Sequence, residues 1–407
     1  MPRPSDDRRL RTYLAGATAG RTGDEMCGPA LLLLALAGSA EASTGPAVVA
    51  ALTAATAAGG PVLGVLLDRS AHPGRLLALA HVGFATAAAA LALLVGRAPA
   101  PVVLGVALVG GLFRPALSGG WSARLSDVVP ARRLPRAVAL DGLTFDVAAL
   151  AAPLLVGVLA LALPPVAAVA VAVVAVLLAV PAAGGAGGTR GGTWVAPSPR
   201  GLGRQVLTGF LVIVRVRTLR RATITSVVGY VGIGLVLTAA PLLAERVLGR
   251  AGHGPWLLAL TALTALVGNA AYARRPDRLS PDRVLAGTFG LVAVASGLAA
   301  AALVVEHPGV ATGCLLAAAV LVGAADGPQL SALLRIRHRD TPDEVRGQVF
   351  TTGASLKLGG AALGAALCGL FASGLAAAML VALTAELLAL ACFGVLGRRR
   401  PSADVPG

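Results

Sequence analysis

This sequence predicts an all-α membrane protein with twelve membrane-spanning helices in two pseudo-symmetric six-helix bundles. Three observations predict it. Apolar runs of about 20 residues, the length of a bilayer-spanning helix, recur along all 407 residues. Of the 34 lysines and arginines, 28 fall in the inter-run gaps on the N-terminal side of the membrane, and only Arg97, Arg246 and Arg250 in the intervening ones. A long polar interruption divides the chain near its middle, with six runs on each side. Because basic residues are retained on the cytoplasmic side, this distribution puts both termini in the cytoplasm.

The spans follow in order. Span 1 covers 13–39, after Arg3, Arg8, Arg9 and Arg11; it contains Arg21, Asp24 and Glu25. It is too long and too charged for the apolar region of a signal peptide, and reads as a retained helix. Spans 2 and 3 cover 44–67 and 75–96, joined by a basic loop. Span 4, at 100–121, holds Arg114 before Pro115, and span 5, at 137–161, holds Asp141 and Asp146. Span 6 covers 163–182. The interruption at 183–221 carries seven arginines and the Gly and Pro density of a flexible linker. Within it, Leu202 to Thr218 reads as an amphipathic helix on the inner membrane surface. Spans 7 to 12 cover 222–244, 254–273, 283–304, 308–331, 348–372 and 375–397. The domains are therefore 1–182, the linker 183–221, and 222–407 with a short cytoplasmic tail.

Composition agrees with the bilayer as solvent: 56% of residues are hydrophobic, 13% are charged, and mean hydropathy is +0.81. The net charge of +15 sits in short inner loops, which points to topology and anionic headgroups rather than nucleic acid. Cys27, Cys314, Cys368 and Cys392 lie in spans and form no disulfide or metal pattern. The five histidines are scattered, and the glycine-rich linker lacks the Gly-Lys-Ser/Thr of a nucleotide-binding loop. No cofactor, metal or catalytic centre is expected, and the chain reads as a non-enzyme.

The halves echo each other. Pro115-Ala-Leu-Ser118 matches Pro328-Gln-Leu-Ser331 at an offset of 213; Arg136 and Arg346 open spans 5 and 11 at an offset of 210. The loop after span 2 reads Gly64-Val-Leu-Leu-Asp68-Arg69-Ser-Ala-His-Pro-Gly74-Arg75. This run of glycine, acid, base, glycine and base resembles the signature loop of the major facilitator superfamily of secondary transporters. The resemblance extends over essentially the whole chain. It implies two bundles around a cavity that opens alternately to either side, with helices 1, 4, 7 and 10 lining it and 2, 5, 8 and 11 forming the interface. Such repeats make rocking mechanically natural.

Charges inside spans are costly and need a partner, water or a task. Arg21, Asp24 and Glu25 share one helical face. One acid can neutralise Arg21 and leave the other free to take up and release a proton. Asp24, Glu25 and Asp146 are the candidates for proton coupling; Arg21, Arg114, Gln329 and Lys357 are the candidates for the substrate cavity. Asp146 lies about 14 Å into its helix; Lys357 is at equivalent depth in the other half, so each is expected to meet a partner across the interface. Asp141 is expected to pair with Arg132, Arg133 or Arg136. Gly64, Asp68, Arg69, Gly74, Arg75, Asp326 and Arg346 form the expected cytoplasmic gate, Asp68 facing the positive end of span 11. Gly60, Gly64, Gly360 and Gly364 are small-residue patterns that would let spans 2 and 11 approach. Glu386 reads as a packing contact.

The expected function is transport of a small molecule by alternating access, with a proton-coupled exporter of a drug-like compound or metabolite as the first reading. The alternatives are a proton-coupled uptake symporter for an organic anion and, less favoured, a non-transporting membrane sensor or scaffold. The partners are the bilayer, the substrate and protons, in a monomer of the plasma or inner membrane.

Overall fold

The computed structural model describes residues 4–37, 44–185, 199–250, 253–276, 278–371 and 374–397. Among the described residues, eleven helices are long and apolar enough to cross a membrane. Those in the first half are α2 (Thr44–Arg69), α3 (Pro73–Leu94), α4 (Ala100–Pro115, continued by a wider turn at Ala116–Gly120), α5 (Leu134–Ala162) and α6 (Val166–Gly185). The others are α7 (Arg217–Leu248), α8 (Gly254–Arg274), α9 (Pro281–Ala302), α10 (Pro308–Asp340), α11 (Arg346–Leu370) and α12 (Leu375–Gly397). The twelfth, α1 (Pro4–Ala37), falls short on composition because it carries Arg21, Asp24 and Glu25, yet it packs against α5 and α6.

Two large apolar cores, with two smaller clusters, hold the described helices. One gathers residues from Tyr13 to Ala183 and also takes in Leu334 and Phe350 from the second half; the other runs from Ile233 to Ala382. Helices in lipid gain little from apolar association and rely on close packing of small residues. At Gly23 a Cβ would stand 2.5 Å from the Ala172 carbonyl oxygen, which sets the approach of α1 to α6. Gly60 and Gly64 meet α11 at Thr351, Ser355 and Gln348, as the small-residue pattern implies. Gly360 and Gly364 do not: they turn to α7, against Val227 and Val231. Helical periodicity puts all four glycines on faces, but which neighbour a face meets is fixed by the bundle.

The linker contains the expected helix, at Pro199–Arg215, and extended backbone at Val216 separates it from α7. Ile213 packs with Leu219 and Val349, while Leu207, Phe210 and Val214 form an exposed apolar stripe. The Gly-rich part at 186–198 lies outside the described residues. α10 runs beyond the expected 331 to Asp340, its last turn basic with Arg337, His338 and Arg339, as a helix C-terminus favours.

Pro115 shapes α4. It has no N–H for the Gly111 carbonyl. The Thr56 hydroxyl, 2.7 Å from the Leu52 carbonyl of its own helix, also reaches Gly111 at 3.2 Å. The wider turn at Ala116–Gly120 follows directly and brings Gly119 so near α11 that a Cβ would meet the Phe350 carbonyl at 2.6 Å.

The packing makes a contrast testable. A Cβ at Gly364 would lie 2.8 Å from the Leu235 backbone nitrogen, while Gly359 faces open space. Gly364→Val is expected to cost about 1–3 kcal/mol and lower the melting temperature of the purified protein by several degrees. Gly359→Val is expected to leave it unchanged.

Candidate functional site

Among the described residues, the hydrogen bonds that join the two halves lie toward one side, the face carrying the arginine-rich loops. There the Asp68 carboxylate accepts hydrogen bonds from the backbone N–H of Gly347 (2.7 Å) and Gln348 (2.9 Å), the exposed donors that open α11. A helix start is electropositive and under-bonded, so a carboxylate satisfies both. Arg124, fully buried, lies 3.9 Å from Asp68 and 3.1 Å from Asp127. Three further bonds cross the interface: Ser355 hydroxyl to Thr56 carbonyl (2.9 Å), Arg346 to Ser126 (2.7 Å), and the His338 ring to the Ser122 carbonyl (3.1 Å). Arg346 also pairs with Asp343. Arg69 and Arg75 are exposed on this face; Gly74 instead seats α3 against the end of α6, where a Cβ would stand 2.6 Å from the Gly184 carbonyl.

Deeper in, Asn269 of α8 donates to Asp146 at 2.5 Å and accepts from Ser331 at 2.8 Å, so Asp146 does meet a group of the opposite half. Beyond this point the halves part around a cavity of about 270 Å³. Asp24, Glu25, Arg114, Asp146, Asp326 and Lys357 line it. A second, more apolar space of about 390 Å³ shares Asp146 and Asp326 and continues past Pro153 and Pro255 toward the opposite face.

Several charges sit differently from the sequence expectation. Arg21 is not a cavity residue and not neutralised on its own helix. Only 2% exposed, it donates to Asp141 (2.9 Å) and Ser122 (2.9 Å), contacts Thr144, and stacks 3.5 Å from the centre of the Phe145 ring. Asp141 accepts also from Ser122 (2.6 Å) and Tyr13 (3.1 Å), not from Arg132, Arg133 or Arg136. The cluster fastens α1, α4 and α5 inside the first bundle. Its logic is electrostatic: a guanidinium in hydrocarbon is tolerated when its donors are all met. Asp24 is bonded by Arg114 at 2.5 Å. Asp326, expected at the gate, lines the cavity and accepts from the Tyr230 hydroxyl. Gln329 is 1% exposed and is not among the residues that line the cavity. Lys357 places its ammonium 3.8 Å from the centre of the Tyr230 ring. Glu386 is buried against Gly229 and Gly232 of α7, a contact within its own bundle.

Glu25 differs from its neighbours. It lines the cavity, is exposed, and has no hydrogen-bond or ion-pair partner among the described residues. Sequence reasoning missed Arg337 and Tyr230, both in the cavity wall. For Arg337 a signal existed: it lies 213 residues after Arg124, the offset of the paired Pro-x-Leu-Ser segments.

Residues 14–365 match the profile of the Major Facilitator Superfamily. The chain belongs to this superfamily. It is therefore a multi-pass membrane secondary transporter. It is 28% identical over 368 residues to the uncharacterized MFS-type transporter y4rN of Sinorhizobium fredii, covering 88% of this chain and 87% of that one. Its fold is similar to that of the human organic anion transporter MFSD10 (TM-score 0.75, 16% identity, 96% of this chain and 100% of that one). It is similar also to a bacterial homologue of the iron transporter ferroportin in its outward-facing state (TM-score 0.73, 15% identity, 96% and 100%). The proton:xylose symporter XylE aligns at a TM-score of 0.69 with 13% identity, over 95% of each chain.

Asp68→Asn keeps the shape of the side chain but removes its charge, and hydrogen bonds to charged groups are worth about 1.5–3 kcal/mol. With the four native cysteines replaced and Ser118→Cys in the cavity wall, labelling by an impermeant maleimide from the basic face is expected to accelerate roughly tenfold or more in Asp68→Asn. An unchanged rate removes the closing role of Asp68.

Proposed function

We propose that this transporter is a proton-coupled carrier of a small organic molecule, working as a monomer in the plasma or inner membrane with both termini cytoplasmic. The observation that carries the reading is Glu25, an accessible carboxylate without a partner among the described residues, beside an Asp24 already committed to Arg114. A carboxylate in that position binds a proton arriving through the open side of the cavity. Its charge then changes while the fixed pair beside it does not. Asp68 on the start of α11 acts as the cytoplasmic gate, with Arg346 and Ser126 alongside; rupture of these contacts accompanies opening to the cytoplasm. The unequal closure supports alternating access, because the same two bundles can meet on either side but not on both.

Two couplings share this machinery, and the charge of the cargo separates them. A cationic or neutral drug-like compound or metabolite competes with the proton for Glu25, which gives exchange and export. An anionic cargo is repelled by ionised Glu25 and admitted by its protonated form, which gives symport and uptake. Four carboxylates in the wall favour the first; Lys357 and Arg337, neither in an ion pair among the described residues, favour the second.

Glu25→Gln tests the shared element. An untargeted metabolite comparison of cells with and without the gene is expected to show compounds whose accumulation collapses with an uncoupler. The same compounds are expected to lose their gene-dependent difference in Glu25→Gln cells, by at least about tenfold, the usual scale for losing a proton-transfer group. Uncoupler-sensitive differences that persist in Glu25→Gln overturn the assignment of the proton site.

A further inference from the structure

We propose that Arg337 is the seat of an anionic group on the cargo, a carboxylate or phosphate, at the floor of the central cavity. The inference deepens the proposed function, since it rests on this cavity being the substrate site. It starts from an asymmetry between the two halves. Arg124 ends the α4 region with two acids around it, Asp68 and Asp127. Its counterpart 213 residues on, Arg337, has lost that company: Gly268-Asn-Ala-Ala-Tyr272 stands after span 8 as Gly64-Val-Leu-Leu-Asp68 stands after span 2, with a tyrosine in place of the acid, and Asp340 pairs with Arg339. Arg337 is 2% exposed, and its Nε and Nη2 have no hydrogen-bond partner among the described residues. At that burial it is not snorkelling to a headgroup.

The guanidinium also has a place prepared for it. It lies against Gly353 of α11, where a Cβ would stand 3.0 Å from Nε and closer still to Cζ and Nη2. One turn further along α11, about 6 Å, is Lys357, also facing the cavity. His338, next in sequence, packs on Phe350 at 4.6 Å between ring centres and closes the floor behind. A buried guanidinium with free donors in a walled cavity matches the planar, paired oxygens of a carboxylate or phosphate. An anion bound there would share the cavity with Glu25, so the proton and the anion load together, and transport is symport.

The test is equilibrium binding to the purified full-length protein by thermal shift, with benzoate, phenyl phosphate, neutral benzamide and cationic benzylamine as probes. The anionic probes are expected to stabilise the wild type, and the neutral and cationic ones not to. Arg337→Gln is expected to weaken anion binding by roughly ten- to a hundredfold. Arg337→Lys should fall between, and Gly353→Ala should weaken binding by displacing the guanidinium. Gly359→Ala, in open space, should bind as the wild type does. If Arg337→Gln does not fold, Arg337→Lys and Gly353→Ala carry the same readout. Equal anion binding in the Arg337 and Gly353 variants, equal binding of benzamide or benzylamine, or no binding by any probe overturns the proposal. No ion gradient is present, so this result stands apart from the uncoupler test of Glu25.

Discussion

The expense of charge in hydrocarbon governs this molecule. Arg21 and Asp141 are consumed in a closed network and Glu25 is left facing the cavity, and that difference sorts structural charges from functional ones. Arg21 shows the first outcome: carboxylate, hydroxyls and an aromatic face all answer one guanidinium, and three helices are fixed as a result. Glu25 shows the second. The two residues are one turn apart on α1, so the sorting is made by their neighbours on other helices, not by their place in the sequence.

The same constraint explains where the halves meet. On the basic face the interface is polar: backbone donors of α11 reach Asp68 of α2, and the side chains of His338, Arg346 and Ser355 reach groups of the first half. Away from that face the wall between the halves becomes apolar, with Leu154, Leu237 and Leu258 lining open space. A polar seam of good geometry resists separation but can be re-formed, which suits a surface that must part and close repeatedly.

Much of the architecture was legible in the chain. Apolar length and arginine placement give the spans, and the loop from Gly64 to Arg75 gives the Asp68 contact with α11, because a helix start attracts an anion wherever it is found. The Arg114–Asp24 pair could be anticipated from two costly opposite charges. What could not be read was partnership across distance. Arg21 sits three and four residues from two acids, yet binds one 120 residues away, because helix packing turns its face toward α5. Arg337 was concealed by position: counted among loop arginines, it belongs to a helix that extends well past its apolar stretch. Asp326 was misplaced for the same reason, since the true end of α10 puts it near the middle.

The Asp68 contact also has a genetic consequence. One side of it is side chain and the other is main chain, so the two sides are unequally exposed to mutation. Substitution at Gln348 leaves its N–H in place, proline excepted. Gly347 is constrained for a different reason, because any Cβ there would press within 2.7 Å of the Asp68 carboxylate. Damage to this closure through single codon changes therefore concentrates on Asp68 and Gly347, while the N–H of Gln348 survives most sequence drift.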